Sequence, residues 1–229
     1  MLENNISNEK LTRVICIVKE ILKIFLERPD FDDIMVGDCG MGLEAIVISR
    51  VFKARNTLGV DICIPKDKII NDHVSLKKQS LMDLSIDDGT FSLIYSYHVL
   101  EHVSDPKKAL MEMHRTLKNN GVLFIGFPNR NRLIGNIGSY HNYTYKQKIK
   151  QNLIDYSQKI KGRFRNEYGA HAGFTEREFL ANNIFSEVIP VRNDYFLKKY
   201  RSKKLIINII IKTGLSEYLF PSNYFICKK

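Results

Sequence analysis

Histidines and carboxylates are the residues of this chain best suited to move protons. His171 and His141 each lie near tyrosines, Tyr168 for the first and Tyr140 and Tyr143 for the second, and an imidazole can take a proton close to neutral pH. Each of the two also reads as a loop residue bonded to backbone. A third histidine, His98, sits with Glu101 and His102 in the run Tyr97-His98-Val99-Leu100-Glu101-His102-Val103. A second set is suited to holding a ligand: Asp38, Gly40 and Gly42 in Val36-Gly37-Asp38-Cys39-Gly40-Met41-Gly42, then Asp61 and Ile62, then Met82, Asp83 and Leu84. Glycines allow a tight bend that exposes backbone N–H groups, and carboxylates accept from hydroxyls.

These residues need elements to bring them together. The apolar run Ile34-Met35-Val36 breaks into glycines and then into a helical pattern from Leu43 to Phe52, the mark of a buried strand that turns straight into a helix. Gly40-Met41-Gly42-Leu43-Glu44-Ala45 fits a loose dinucleotide fingerprint, but Glu44 falls in the first helical turn. A carboxylate there suits the helix and repels phosphate. A ligand without phosphate, such as an adenosine with an amino-acid tail, fits better; a tight turn with no ligand is the alternative. Asp61 closes the short strand Thr57–Val60, about twenty residues beyond the glycines, where an acid accepts both hydroxyls of a ribose or simply ends a turn.

The pattern before and after this corner is regular. Leu11, Val14, Ile15, Val18, Ile21, Leu22 and Phe25 predict an amphipathic helix over 8–28 laid on a sheet edge, with Ser7 or Asn8 as its cap. A weak strand at Val74-Ser75, an apolar strand from Phe91 to Tyr95, a helix from Pro106 to Leu117, a turn at Asn119-Asn120-Gly121 and a strand from Val122 to Phe127 follow. Alternation of strand and helix implies an α/β fold, a parallel sheet with helices on both faces. Gly40, Asp61, Asp83, Ser96 and Pro128 all fall at the carboxyl ends of its strands, where ligands collect in such sheets.

With 229 residues the chain can bury one full core, and a single domain with appendages is expected. Its four cysteines lack metal-type spacing, so no metal is expected and reduced thiols in the cytoplasm are. Met1–Lys10 is polar and without the order of a signal peptide, and no apolar run approaches a membrane span. The net charge of +10 suits an anionic partner, nucleic acid or an acidic membrane surface, or is an excess of solvated lysines.

From Ile34 to Phe127 the sequence resembles the class I S-adenosylmethionine-dependent methyltransferases, of the group whose fourth strand leads into Leu-Glu-His-Val and whose next helix ends in a Lys-x-x-Gly turn, here Lys118 to Gly121. The resemblance implies a Rossmann-like seven-stranded sheet, mostly parallel with a C-terminal antiparallel hairpin. It implies S-adenosylmethionine as cofactor and S-adenosylhomocysteine as product. By similarity, Gly40 and Gly42 pass under the methionine part, Asp61 holds the ribose, and Asp83 accepts from the adenine amino group with Met82 and Leu84 beside the ring. Ser96 and Tyr97 lie by the methionine moiety and the acceptor. The Leu-Glu-His segment mostly fixes its loop in that family. Val36 stands where the family usually has an acid, Ser92 where it has an aspartate, and Asp38 replaces the first glycine. Aspartate tolerates left-handed backbone, so the bend survives, and Asp38 is expected to take over the acid's role near the cofactor's ammonium group.

The last hundred residues bear on the methyl acceptor. Phe127-Pro128-Asn129-Arg130-Asn131-Arg132, later Gly169-Ala170-His171 before a helix capped at Thr175, resembles the O-methyltransferases of ubiquinone biosynthesis and many sugar and lipid methyltransferases. One domain over 1–229 is expected, with a cofactor-binding core at 33–127, a substrate-side insert at 128–182 that carries a basic helix from Lys146 to Arg165, and a second insert at 195–220. His171 or His141 is the expected base, with His98, Tyr140, Tyr143 and Tyr168 lining the acceptor pocket. The expected function is O-methylation of a small-molecule, glycan or lipid- or quinone-type acceptor by a cytoplasmic monomer or homodimer, peripheral at the membrane if the basic, apolar segment Lys198–Ile211 lies in an anionic interface. The alternative for that segment is a lid or dimer contact. The alternatives for the chain are an RNA methyltransferase and a non-catalytic cofactor-binding regulatory or scaffold protein.

Overall fold

The alternating apolar pattern folds into eight strands and eight α-helices in a computed structural model that describes residues 2–27, 31–135 and 144–229, with side chains from Glu9 onward. The first half runs α1 (Leu2–Phe25), β1 (Asp33–Gly37), α2 (Leu43–Phe52), β2 (Asn56–Asp61), β3 (Lys68–Asn71), β4 (Val74–Lys78), β5 (Phe91–Tyr97), α3 (Pro106–Thr116) and β6 (Leu117–Pro128). The second runs α4 (Tyr145–Ile160), α5 (Glu176–Ala181), β7 (Glu187–Pro190), α6 (Arg192–Lys199), α7 (Lys204–Lys212), α8 (Ser216–Leu219) and β8 (Ser222–Lys228).

The strands form one sheet in the order β3-β4-β2-β1-β5-β6-β8-β7. The strands from β4 to β6 in that order are parallel, while β8 runs antiparallel between β6 and β7. Side chains alternate across it as the period of a strand requires. Ile34, Val36, Leu93, Tyr95, Phe124, Tyr224 and Ile226 point to one face, under Ile15, Val18 and Ile21 of α1, Ile48 of α2 and Tyr195 and Phe196 of α6. Met35, Ile94, Leu123, Ile125, Phe225 and Cys227 point to the other, under Leu110 and Met113 of α3 and Phe179 of α5. The helix termini follow their local chemistry. Asp105 accepts from the Lys108 N–H at 2.9 Å ahead of α3, and Thr175 and Glu178 form the expected capping box ahead of α5.

Four expectations need correction. The sheet has eight strands, because Lys68–Asn71 adds an antiparallel edge strand to β4. The N-terminal helix starts at Leu2, which puts Ser7 and Asn8 inside it, and it packs across a sheet face against α2 and α6. Asn119-Asn120-Gly121 does not separate α3 from the next strand. It lies within β6 as a bulge, with Asn120 at φ 64°, between the pairs Phe91–Leu117 and Leu93–Val122. Finally, α6 begins at Arg192 and buries Tyr195 and Phe196, so the segment from 195 opens as a core helix.

Candidate functional site

The corner after β1 is built as its residue types dictate. Asp38 adopts φ 56°, Gly40 53° and Gly42 94°, three left-handed residues in five that turn the chain sharply into α2. The Asp61 carboxylate, buried at the tip of β2, ties that turn to its own strand. It accepts from the Gly40 N–H at 2.7 Å and from the Cys63 N–H at 2.6 Å, one bond to each oxygen. Ile62 beside it is 64% exposed, an apolar side chain left at the cleft rim.

Carboxylates crowd here. Asp38 keeps solvent contact, yet its pKa rises to about 6 through partial burial of the carboxyl, then through its hydrogen bond to Asp61 and repulsion from Asp61 and Glu101. Glu44 rises to about 7, first by desolvation and then by repulsion from Asp38, while a bond from the Tyr95 hydroxyl works the other way. Sequence reasoning took Glu44 only as a bar to phosphate; it is a member of this acidic group.

The tip of β5 adds a second cluster. Ser96 is fully buried and its hydroxyl has no hydrogen-bond partner among the described residues. Tyr97 stacks in a row with Tyr95 and Tyr224 and meets the Tyr224 hydroxyl at 3.3 Å. His98 takes φ 58°, held there by its N–H donating to the Gly126 carbonyl at 2.7 Å. Its ring lies between Glu101 (Nδ1 to Oε1, 3.1 Å) and Ser222 (Nε2 to Oγ, 3.4 Å). Glu101 is buried, and its second oxygen has no partner among the described residues. Its field reaches Asp38 on one side and His171 on the other.

His171 arrives from the far end of the chain. Its ring meets His102 edge-on at 4.7 Å between centroids, and desolvation, then the neighbouring His102, lowers its pKa. A clasp holds it there. Arg132, buried, donates to the carbonyls of Asn129, His171 and Ala172 and pairs with Asp155 at 3.2 Å. Arg130 donates twice to the Gly173 carbonyl and pairs with Glu178 at 2.5 Å. Gly173, at φ 70°, lies so close to Pro128 that a Cβ would collide with the Pro128 carbonyl. The Asn129-Arg130-Asn131-Arg132 motif is thus the framework that aims His171. Sequence reasoning found the motif but not this task, nor the His102 contact.

The remaining expected residues are distributed unevenly. Asp83 is exposed after β4, and the Met82 sulfur accepts from Ser104 and from the Asp105 N–H, both at 3.4 Å. Leu84 lies in the core with Leu81 and Phe91, and its N–H donates to Glu112 on α3 at 2.9 Å. Tyr168 is 64% exposed and lines a groove of about 560 Å³ along α4 with Ile154, Ser157, Gln158, Lys161 and Arg163, among which none of the strand-tip acids or histidines stands. His141, Tyr140 and Tyr143 lie outside the described residues.

Comparison with known proteins bears on the fold that carries these residues. A family model described as a methyltransferase domain matches residues 36–125. An uncharacterized protein of Methanocaldococcus jannaschii is 36% identical over 118 residues, 50% of this chain and 48% of its own. A protein of Mycobacterium tuberculosis named a probable S-adenosylmethionine-dependent methyltransferase is 27% identical over 101 residues, 43% of this chain and 36% of its own. The chain therefore spans about half, or less, of the length of the curated relatives it matches. The plantazolicin methyltransferase BpumL, solved with a substrate analog and SAH, matches with a TM-score of 0.58 at 13% identity over 97% of this chain and 84% of its own. A structure from Galdieria sulphuraria, described as a candidate sarcosine dimethylglycine methyltransferase, matches with a TM-score of 0.53 at 15% identity, covering 93% of this chain and 83% of its own. At such identities the solved structures speak for the fold, and the family match for the segment that carries the glycine turn, Asp61 and Glu101. Residues 36–125 thus match a methyltransferase-domain family model, and the sheet built around them has the fold of solved S-adenosylmethionine-dependent methyltransferases.

Proposed function

We propose that the chain binds S-adenosylmethionine at the tips of β1, β2 and β5 and methylates a hydroxyl of a small-molecule, glycan or lipid- or quinone-type acceptor. The observation that carries the reading is the gathering of carboxylates around a bare glycine turn, where burial first and mutual repulsion second lift Asp38 to about 6 and Glu44 to about 7. A ligand with a positive charge and hydroxyl donors relieves that crowding, and a phosphate worsens it. When bound, the cofactor supplies an electrophilic methyl group on a sulfonium.

The chain's own residues would divide the work. Each Asp61 oxygen has used one lone pair on a backbone N–H, which leaves capacity for the two ribose hydroxyls. Asp38 would face the ammonium group, and the unpartnered Ser96 hydroxyl would bond to the amino-acid tail. Exposed Ile62 and Asp83, with Met82, would surround the adenine. On the acceptor side, the lowered pKa of His171 keeps its ring unprotonated near neutral pH, ready to take the hydroxyl's proton. His98, fixed by Glu101 and Ser222, and Tyr97 would border the acceptor. Much of the rate would come from holding the hydroxyl in line with the methyl group.

Calorimetry with S-adenosylmethionine and S-adenosylhomocysteine tests the first half; binding of both is expected, and no heat from either sinks it. A methyl-transfer assay over phenolic, sugar and lipid-linked hydroxyls tests the second.

A further inference from the structure

Helix α7 carries apolar side chains round most of its girth, broken by one polar strip of Lys204, Asn208 and Lys212, although only one side of it meets the protein. At about 100° per residue, Ile207, Ile210 and Ile211 share the arc that packs on the core, and Leu205, Ile206 and Ile209 share the opposite arc. Those three are 75%, 56% and 54% exposed, in a helix of nine residues with six aliphatic side chains. A surface helix needs an apolar stripe on the order of 100° wide to sit on its core, and the apolar arc of α7 is much wider. Leu215 and Tyr218, in and beside α8 against which α7 packs, extend the apolar surface at 47% and 43% exposure.

Basic residues bracket it. Lys203 and Lys204 are exposed at its start and Lys212 at its end. Lys198 and Arg201 are held just before it by Glu20 of α1, at 3.1 and 2.5 Å. That leaves the three lysines without an ion pair among the described residues, while the one acid on this surface, Glu217 of α8, accepts from Asn131 at 2.7 Å. A hydrophobic arc flanked by long, exposed lysine side chains matches a bilayer whose headgroups are anionic, with the aliphatic residues in the acyl boundary and the ammonium groups among the phosphates. Among the described residues no helix is long and apolar enough to cross a membrane, so such a contact is interfacial.

We infer that α7 docks the protein peripherally on an anionic lipid surface. This inference is independent of methyl transfer. Flotation of the full chain with phosphatidylglycerol-containing vesicles is expected, with no flotation on phosphatidylcholine alone. Ile206→Asp with Ile209→Asp, both at exposed positions, should reduce vesicle binding at least about tenfold while circular dichroism and cofactor binding stay unchanged. Lys203→Gln and Lys204→Gln should each weaken it about fivefold. Failure of the wild-type chain to float with phosphatidylglycerol overturns the inference. So does flotation that the Asp pair leaves intact, which would reduce it to the chain's overall positive charge. A homodimer in light scattering that the Asp pair splits would assign the arc to a second copy of the chain and also overturn it.

Discussion

The turn after β1 and the clasp after β6 lie at the same edge of the sheet and are built on opposite principles. The turn gathers acceptors without enough donors: Asp38, Glu44, Asp61 and Glu101 influence one another, and a Glu101 oxygen and the Ser96 hydroxyl are left without partners among the described residues. The clasp is saturated. Arg130 and Arg132 between them satisfy the carbonyls of Asn129, His171, Ala172 and Gly173 and the carboxylates of Glu178 and Asp155, and Asn129 donates to the carbonyls of Glu217 and Phe220. Buried polar groups cost stability unless they are paired, so a fold keeps an unsatisfied cluster only where something else completes it. On the proposed function, the difference would separate two jobs of the edge, a place to receive a ligand and a rigid mount for the group that acts on it.

If the clasp is a mount, breaking it should cost the most. Arg132→Ala leaves two buried carbonyls, the partly buried His171 carbonyl and the mostly buried Asp155 without their guanidinium. Loss of one partner of a buried ion pair costs about 3 kcal/mol or more. Denaturant unfolding should register that loss, and an unchanged midpoint would show that the clasp carries no load. His171→Ala leaves the mount intact and removes only the tool. Turnover should fall about 100-fold, the lower range for general acid–base catalysis, with cofactor affinity unchanged. Equal turnover would remove His171 from the mechanism.

The same contrast explains what could be read in the sequence. The glycine turn, the left-handed Asp38, Asp61 at a strand tip and the Thr175 cap follow from local rules, because each depends on residues within a few positions. The clasp does not. Arg130 and Arg132 look like solvated charges in a polar loop, and apart from the Asn129 carbonyl their partners lie between 23 and 48 residues away. The tie of the Leu84 N–H to Glu112 on α3, 28 residues on, is hidden for a related reason. Lys198 and Lys199 disguised α6 as part of a basic insert, although Tyr195 and Phe196 of the same helix are core residues. Strand β3 escaped notice because Ile69 is 80% exposed and four residues carry too little alternation to register.

On the turn side, Asp61→Asn tests whether the unsatisfied acids belong to the ligand. The amide can still accept from one backbone N–H but loses the charge that strengthens bonds from ribose hydroxyls. A hydrogen bond to a charged group contributes about 1.5–3 kcal/mol, so cofactor affinity in calorimetry should drop roughly 10- to 100-fold. An unchanged affinity would place the ribose elsewhere.

The smallest effect is the most discriminating, because it has two signs. With its pKa raised to about 6, Asp38 binds a proton in the folded chain at pH values where the unfolded chain has lost it. Stability therefore falls as pH rises from about 4 to 6, since the folded state holds more protons across that window. Affinity for a cationic ligand moves the other way. At pH 5, one unit below this value, about nine-tenths of Asp38 is neutral, so binding should be up to about tenfold weaker than at pH 7. Asp38→Asn should flatten both trends, making the unliganded protein more heat-resistant than wild type at pH 7 and weakening the cofactor there. If the variant binds S-adenosylmethionine at pH 7 as tightly as wild type, Asp38 does not face the ammonium group. A rise in thermal stability with no loss of affinity would then mean that the crowding at the turn belongs to the fold alone.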